Sequence, residues 1–195
     1  QGDRGRDFYV FQSTLHGDIP YKDYVWDYGP FSPYYYAFFL RLFGVSIPSI
    51  LLGEIFLKVL SGILVYFSLA LFFELPVAFL GAVWFWTFNP NFTQTGNHIA
   101  GILGSLLTLY CIFRYIENPV RKWIYLALPG LFLVFLVKYN FGLSTLAASV
   151  ISIFIIDLAS VDHFLAKKIL NLTPFILLLA AVAAVYAFLF RGLSV

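Results

Sequence analysis

The sequence predicts an all-α, polytopic integral membrane protein with about six transmembrane helices and a further helix at the interface. Three observations carry that expectation. Hydrophobic residues make up 61% of the 195 and charged residues only 11%, against about 25% charged in soluble domains. No formal charge occurs from Leu75 to Phe113, and uncharged runs follow at Tyr139–Ile156 and Ile169–Phe190. A helix crosses a hydrocarbon core in about 20 apolar residues, so these runs hold several crossings.

Residues 1 to 30 differ from the rest. They hold five of the ten acids (Asp3, Asp7, Asp18, Asp23, Asp27) and contain no apolar stretch of the kind a signal peptide needs. Met is absent and the chain begins at Gln1, which reads as a fragment with a first membrane helix expected upstream. Residues 31–43, "FSPYYYAFFLRLF", predict an amphipathic interfacial helix, because Tyr and Phe favour the headgroup level. The spans are predicted at 49–73, 76–95, 98–116, 123–137, 139–157 and 169–190. Pro48, Pro76, Pro119 and Pro174 mark helix starts or approaches, where proline is tolerated. The division is thus an extracytoplasmic outer loop with interfacial helices over 1–48 and a transmembrane helical bundle over 49–195.

Two spans are short. The apolar parts 76–88 and 123–137 would reach about 20 and 22 Å, against a core of about 30 Å. The segments "NPNFTQTGNH" (89–98) and "KYNFG" (138–142) are therefore expected below the membrane surface as irregular, polar backbone lining a cavity.

Parity orients the bundle. If the N-terminal loop is outside, 74–75, 117–122 and 158–168 lie inside, while 89–98, 138–142 and the C-terminus lie outside. The inside connections carry Arg121, Lys122, Lys167 and Lys168, with Arg114 nearby, as the positive-inside rule requires. Reading 123–157 as one helix would make it about 52 Å long and move Lys167 and Lys168 outside, so two spans are expected. The acidic loop, Asn97, His98 and Lys138 then converge on one outer end.

The common soluble-enzyme motifs are absent, and Cys111 is the single cysteine, so no internal disulfide forms. A net charge of +2 without a basic cluster excludes a nucleic-acid partner.

The stretch "RDFYVFQSTLHGDIPYKDYVWDYGPFSPYYYAFFLRLFG" resembles the first extracytoplasmic loop of GT-C membrane glycosyltransferases, the mannosyltransferase and ArnT/RgtA-like group. The matching elements are Asp7, Gly17, Pro20-Tyr21-Lys22-Asp23, Tyr28-Gly29-Pro30 and Leu42-Phe43-Gly44, and "GLFLVFLVKYNFGL" (130–143) is similar to a later family helix. The likeness covers about residues 3 to 157. It departs from the family where Phe8 replaces a Glu after the first Asp, and where Asn97 and His98 stand in place of an acid.

The resemblance implies sugar transfer from a polyprenyl-phosphate carrier to a glycan, lipid or protein acceptor, on the extracytoplasmic face of a plasma or inner membrane. The residue types suit that chemistry. A carboxylate takes the acceptor hydroxyl's proton, a cation stabilises the departing phosphate, and aromatics stack on the sugar. Asp7 is the candidate general base; its bland alternative is a loop acid or an N-cap near Phe8. Asp23 is the second carboxylate, orienting the acceptor or a divalent metal cation, or else an ion-pair partner of Lys22 or Arg41. Lys138, the one formal charge between Ile124 and Ile156, is a functional candidate by its cost in lipid and is expected to hold the carrier phosphate, unless it snorkels to the interface. His98, Asn97, Tyr21, Lys22 and Tyr28 complete the expected substrate-binding set. Glu54 and Lys58, spaced i, i+4, read as a structural pair, and Arg4, Arg6, Arg41, Asp18 and Asp27 as hydrated surface. Sequons stand at Asn91 and Asn171, the latter on the inner side. The alternative function is a transporter or flippase for a lipid-linked or anionic substrate, but its ionisable groups would sit nearer the midplane.

Overall fold

A computed structural model of the chain describes residues 2–87, 96–159 and 165–191. The described residues form eight α-helices: α1 (Gly2–Leu15), α2 (Phe31–Phe43), α3 (Ile47–Leu69), α4 (Leu75–Thr87), α5 (Gly96–Glu117), α6 (Lys122–Val137), α7 (Tyr139–Ala159) and α8 (Leu165–Phe190). The protein is all-α. Four of its helices are long and apolar enough to cross a membrane, at Ile47–Leu69, His98–Glu117, Tyr139–Leu158 and Asn171–Phe190. The short pair is short in the structure too: α4 has 13 residues and α6 has 16.

The polar start of the chain, within the expected outer loop, is helical over Gly2–Leu15. Asp7, Val10, Phe11 and Thr14 are all buried, and their i, i+3, i+4, i+7 spacing makes one face. Low overall apolarity hid that face from a composition reading. Asp7 sits in the first half of α1, not at its cap. The helix ends in a Schellman turn: Gly17, at φ 106, donates to the Thr14 carbonyl and Asp18 to that of Ser13. The α2 helix matches the expected interfacial helix in both bounds, and its buried stripe of Ser32, Pro33, Tyr36, Ala37 and Leu40 packs between α1 and α3.

The first span is shifted from the expected 49–73 to 47–69, because residues 70–74 form a turn that carries the chain into α4. Where α5 and α6 cross, Gly104 and Gly130 face each other. A Cβ added to either would lie 2.6 Å from the other's carbonyl oxygen. Only glycine at both sites permits that backbone approach, a familiar device for joining helices where lipid gives no hydrophobic drive.

The expected irregular segment at 138–142 is corrected by the structure. Lys138 alone breaks the helical run, in an extended conformation (φ −159°, ψ 113°), and α7 begins at Tyr139. Gly142 permits this tight corner by letting the Phe135 ring lie against its backbone. The segment 88–95, Asn91 included, lies outside the described residues, as do the side chains of Asn97, Lys167 and Lys168.

The contacts gather segments expected on the outer side at one end of the molecule. The loop of residues 16–30 touches the last turn of α6 and the end of α8: Gly29 N–H donates to the Val137 carbonyl (2.9 Å), and the Tyr21 and Phe190 rings stand 5.1 Å apart. At the opposite end lies a buried polar network. The Tyr115 hydroxyl donates to Asp157 (2.7 Å), the Asn171 amide donates to Asp157 (2.9 Å) and to Tyr115 (3.1 Å), and Arg121 Nε donates to the Asn171 oxygen (2.9 Å). Tyr115, Asp157 and Asn171 are 2%, 2% and 5% exposed. The Asn171 sequon is therefore a helix-joining amide rather than an accessible acceptor.

Candidate active site at the loop end

The loop that caps the bundle is held mainly by its aromatic residues. Trp26, 5% exposed, donates its indole N–H to the Gly29 carbonyl (2.9 Å), and the Tyr21 hydroxyl donates to the Tyr28 carbonyl. Tyr24 hydrogen-bonds the Thr14 hydroxyl at 2.6 Å. Burial pushes the Tyr24 phenol up to about 12, the Thr14 hydrogen bond acting the other way, and burial raises Tyr21 as well. Both phenols therefore stay neutral and act as hydrogen-bonding struts. Tyr21 adopts φ 71°, a left-handed conformation uncommon for a bulky residue and a mark of a tightly determined turn.

Gly29 is the hinge pin of this arrangement. A Cβ there would run into the Leu136 carbonyl and lie 3.0 Å from the Tyr186 hydroxyl. Gly29→Ala is accordingly expected to lift the loop from α6. The check is limited proteolysis: cleavage within 16–30 should quicken while helical content by circular dichroism holds.

Docking the loop this way brings the candidate residues into one chain of contacts. Arg6 lies 3.9 Å from Asp7 Oδ1 and 3.4 Å from Asp27 Oδ2, with its guanidinium 5.9 Å from the Trp26 ring centre. Trp26 meets Tyr28 edge-on at 5.4 Å. Lys138 Nζ lies 5.7 Å from the Tyr28 ring centre and 5.0 Å from that of Phe141, inside cation–π range. Phe141 is 6.4 Å from the His98 ring. Asp7, Tyr21, Tyr28, Lys138 and His98 thus share one end of the molecule.

Lys22 and Asp23 are exposed on the 19–24 turn. Asp23 Oδ2 accepts the Ile19 N–H at 2.8 Å, a side-chain-to-backbone bond that closes the turn. Asn97 is the second residue of α5, its side chain outside the described residues. Among the described residues no three His, Cys, Asp or Glu gather as a metal site. Arg6 and Asp27 are exposed as the sequence expected, and they pair with each other while Arg6 also borders Asp7. Nothing in the local sequence marked that pairing, because it depends on a fold-back of twenty residues.

Beside this cluster runs an apolar groove of about 740 Å³, walled by α2 (Phe31, Tyr34, Phe38) and α8 (Ala184, Phe188), with Leu136 of α6 at its side. Leu136 is two residues from Lys138 and the bordering Pro30 two from Tyr28, so the groove adjoins the cation.

Sequence comparison supplies the decision that geometry alone does not. The family model for dolichyl-phosphate-mannose-protein mannosyltransferase matches residues 27–190, which is most of the chain. The chain belongs to this family. It is a GT-C-type membrane glycosyltransferase in class, and the mannosyltransferase-family match takes in Tyr28, Glu54, His98 and Lys138 while α1, with Asp7, precedes it. No curated protein and no solved structure matches the chain.

Proposed function

We propose that this family member transfers a sugar, mannose first among candidates, from a polyprenyl-phosphate carrier to an acceptor hydroxyl on the extracytoplasmic side. Residues 1–48 act as the cover and 49–195 as the bundle beneath it. The observation that carries the reading is the position of Lys138: one cation, seated on two aromatic rings, beside an apolar groove. A lipid phosphate needs that pairing, since its chain seeks apolar surface and its headgroup a fixed positive charge.

In this mechanism the acceptor oxygen attacks the anomeric carbon while Asp7 takes its proton. The bond from that carbon to the phosphate oxygen breaks, and the lipid phosphate leaves with its charge held by Lys138. Tyr28 and Phe141 orient the ammonium, and His98 stands where a phosphate or sugar hydroxyl would meet it. Asp23 and Lys22 would reach the acceptor from the turn, and Tyr21 supports the loop beneath them.

The test is transfer from a panel of polyprenyl-phosphate sugars by the protein in nanodiscs, compared with Lys138→Gln. The variant is expected to raise the KM for donor roughly tenfold to a hundredfold, the worth of a hydrogen bond to a charged group, with a smaller change in kcat. Transfer with an unchanged KM would remove Lys138 from the donor site. Absence of transfer with every donor, together with substrate movement across the bilayer, would favour transport instead.

A further inference from the structure

We propose that the end of the bundle opposite the loop holds an anionic phospholipid, its phosphate on the Arg121 guanidinium and one acyl chain in a groove between α6 and α8. This site lies apart from Asp7 and Lys138 and stands whether or not the sugar-transfer reading does. The groove is an apolar cavity of about 570 Å³, walled by Tyr125, Pro129 and Phe132 of α6 and by Pro174, Leu178 and Ala181 of α8. Helical spacing leads both walls to one polar point. Arg121 precedes Tyr125 by four residues and Asn171 precedes Pro174 by three, so each lies on the groove face of its helix. These two residues bond each other, Arg121 Nε donating to Asn171 Oδ1 at 2.9 Å. The groove therefore begins one helical turn from a guanidinium.

That guanidinium is only partly used. Its Nε serves Asn171, while Nη2 is buried with no hydrogen-bond partner. A buried donor left without an acceptor is destabilising, and Asp157 does not supply one: it accepts from the Tyr115 hydroxyl and the Asn171 amide. A phosphate oxygen is an acceptor that the arginine fork is shaped to bind, and a lipid carries one at the head of an apolar chain. At the same end, Arg114 and Lys122 lie on the Trp123 ring, 5.0 and 4.9 Å from its centre. Tryptophan favours the headgroup level, so Trp123 sets these cations and the nearby Arg121 at the depth of lipid phosphates. Glu117 is bonded to Arg114 at 2.9 Å, so among the described residues a headgroup meets Arg121 and the exposed Lys122. A zwitterionic headgroup would bring its own cation against them, whereas a net negative one complements them, as in other basic pockets between membrane helices.

The test is native mass spectrometry of the whole protein in detergent, titrated with phosphatidylglycerol or phosphatidylcholine. The wild type should hold phosphatidylglycerol about tenfold more tightly, the effect of one hydrogen bond to a charged group, and Arg121→Gln should lose that preference. Equal binding of the two lipids by the wild type, or a preference kept in Arg121→Gln, overturns the proposal. Because Arg121 also serves the Asn171 network, Ala181→Phe gives a second measure, filling the groove while leaving the cation in place. Phosphatidylglycerol binding should weaken several-fold there, and unchanged binding overturns the site even where Arg121→Gln does not fold. Lys138→Gln tells the two ends apart: it should keep the preference, and losing it would place the lipid at the loop end instead. In that same variant, displacement of bound phosphatidylglycerol by equimolar polyprenyl phosphate would make the carrier the occupant and overturn the phospholipid assignment.

Discussion

Asp7→Asn is expected to reduce sugar transfer roughly 10²- to 10⁴-fold, the usual contribution of a positioned general base, while expression and membrane insertion stay intact. The substitution keeps the shape of the side chain on the buried face of α1, 5% exposed, so the packing of Val10 and Phe11 against Trp26 and Tyr36 should survive. Asparagine cannot accept the proton, and only the chemical step should suffer. In kinetic terms kcat and kcat/KM should fall together, with the donor KM little changed. Asp23→Asn makes the comparison informative. Its carboxylate already accepts the Ile19 N–H, a bond that an amide oxygen reproduces. Wild-type transfer by Asp7→Asn together with loss in Asp23→Asn would move the base to the 19–24 turn.

Asn171→Leu is expected to destabilise the bundle by about 2–4 kcal/mol. A single interhelical hydrogen bond in a membrane averages only about 0.6 kcal/mol, which would make one lost bond hard to see. Here one amide joins Arg121, Tyr115 and Asp157 at once. Hydrogen bonds to charged groups are worth about 1.5–3 kcal/mol, and two of its three partners are charged. Leucine fills the volume but leaves a carboxylate and a guanidinium with one bond fewer each. Unfolding in mixed detergent, followed by circular dichroism, measures the change. Tyr115→Phe, which removes one hydroxyl from the same network, should cost less. A shift below about 0.5 kcal/mol for Asn171→Leu, the range of ordinary surface changes, would show that the network is slack.

The two ends of the molecule differ in how far the chain discloses them. At the loop end, aromatic density and an isolated lysine are visible in the string, because charge in an apolar run is costly wherever the run folds. Lys138 was legible for that reason, and so was α2, whose stripe repeats at helical spacing. The α1 helix was not, since its buried face includes an aspartate and a threonine that hydropathy scores as exposed. Asp157 was passed over. It is an acid within an apolar helix, and what it meets is supplied by helices far off in sequence: Tyr115 of α5 and Asn171 of α8.

By itself the sequence determined the class of the protein, where most of its helices run and which segments share an end, because these follow from hydropathy and helical rise counted along one dimension. The family likeness followed from motifs in the same string. Only the tertiary structure decided which polar groups are neighbours. It placed Asp7 on a buried face beside Arg6, confined Asp23 to a turn, set Lys138 on Tyr28 and Phe141, and closed the far network through Asn171. Those choices depend on close approach, at Gly29 over Leu136 and at Gly104 against Gly130, and whether two backbones can touch depends on the shape of both partners at once.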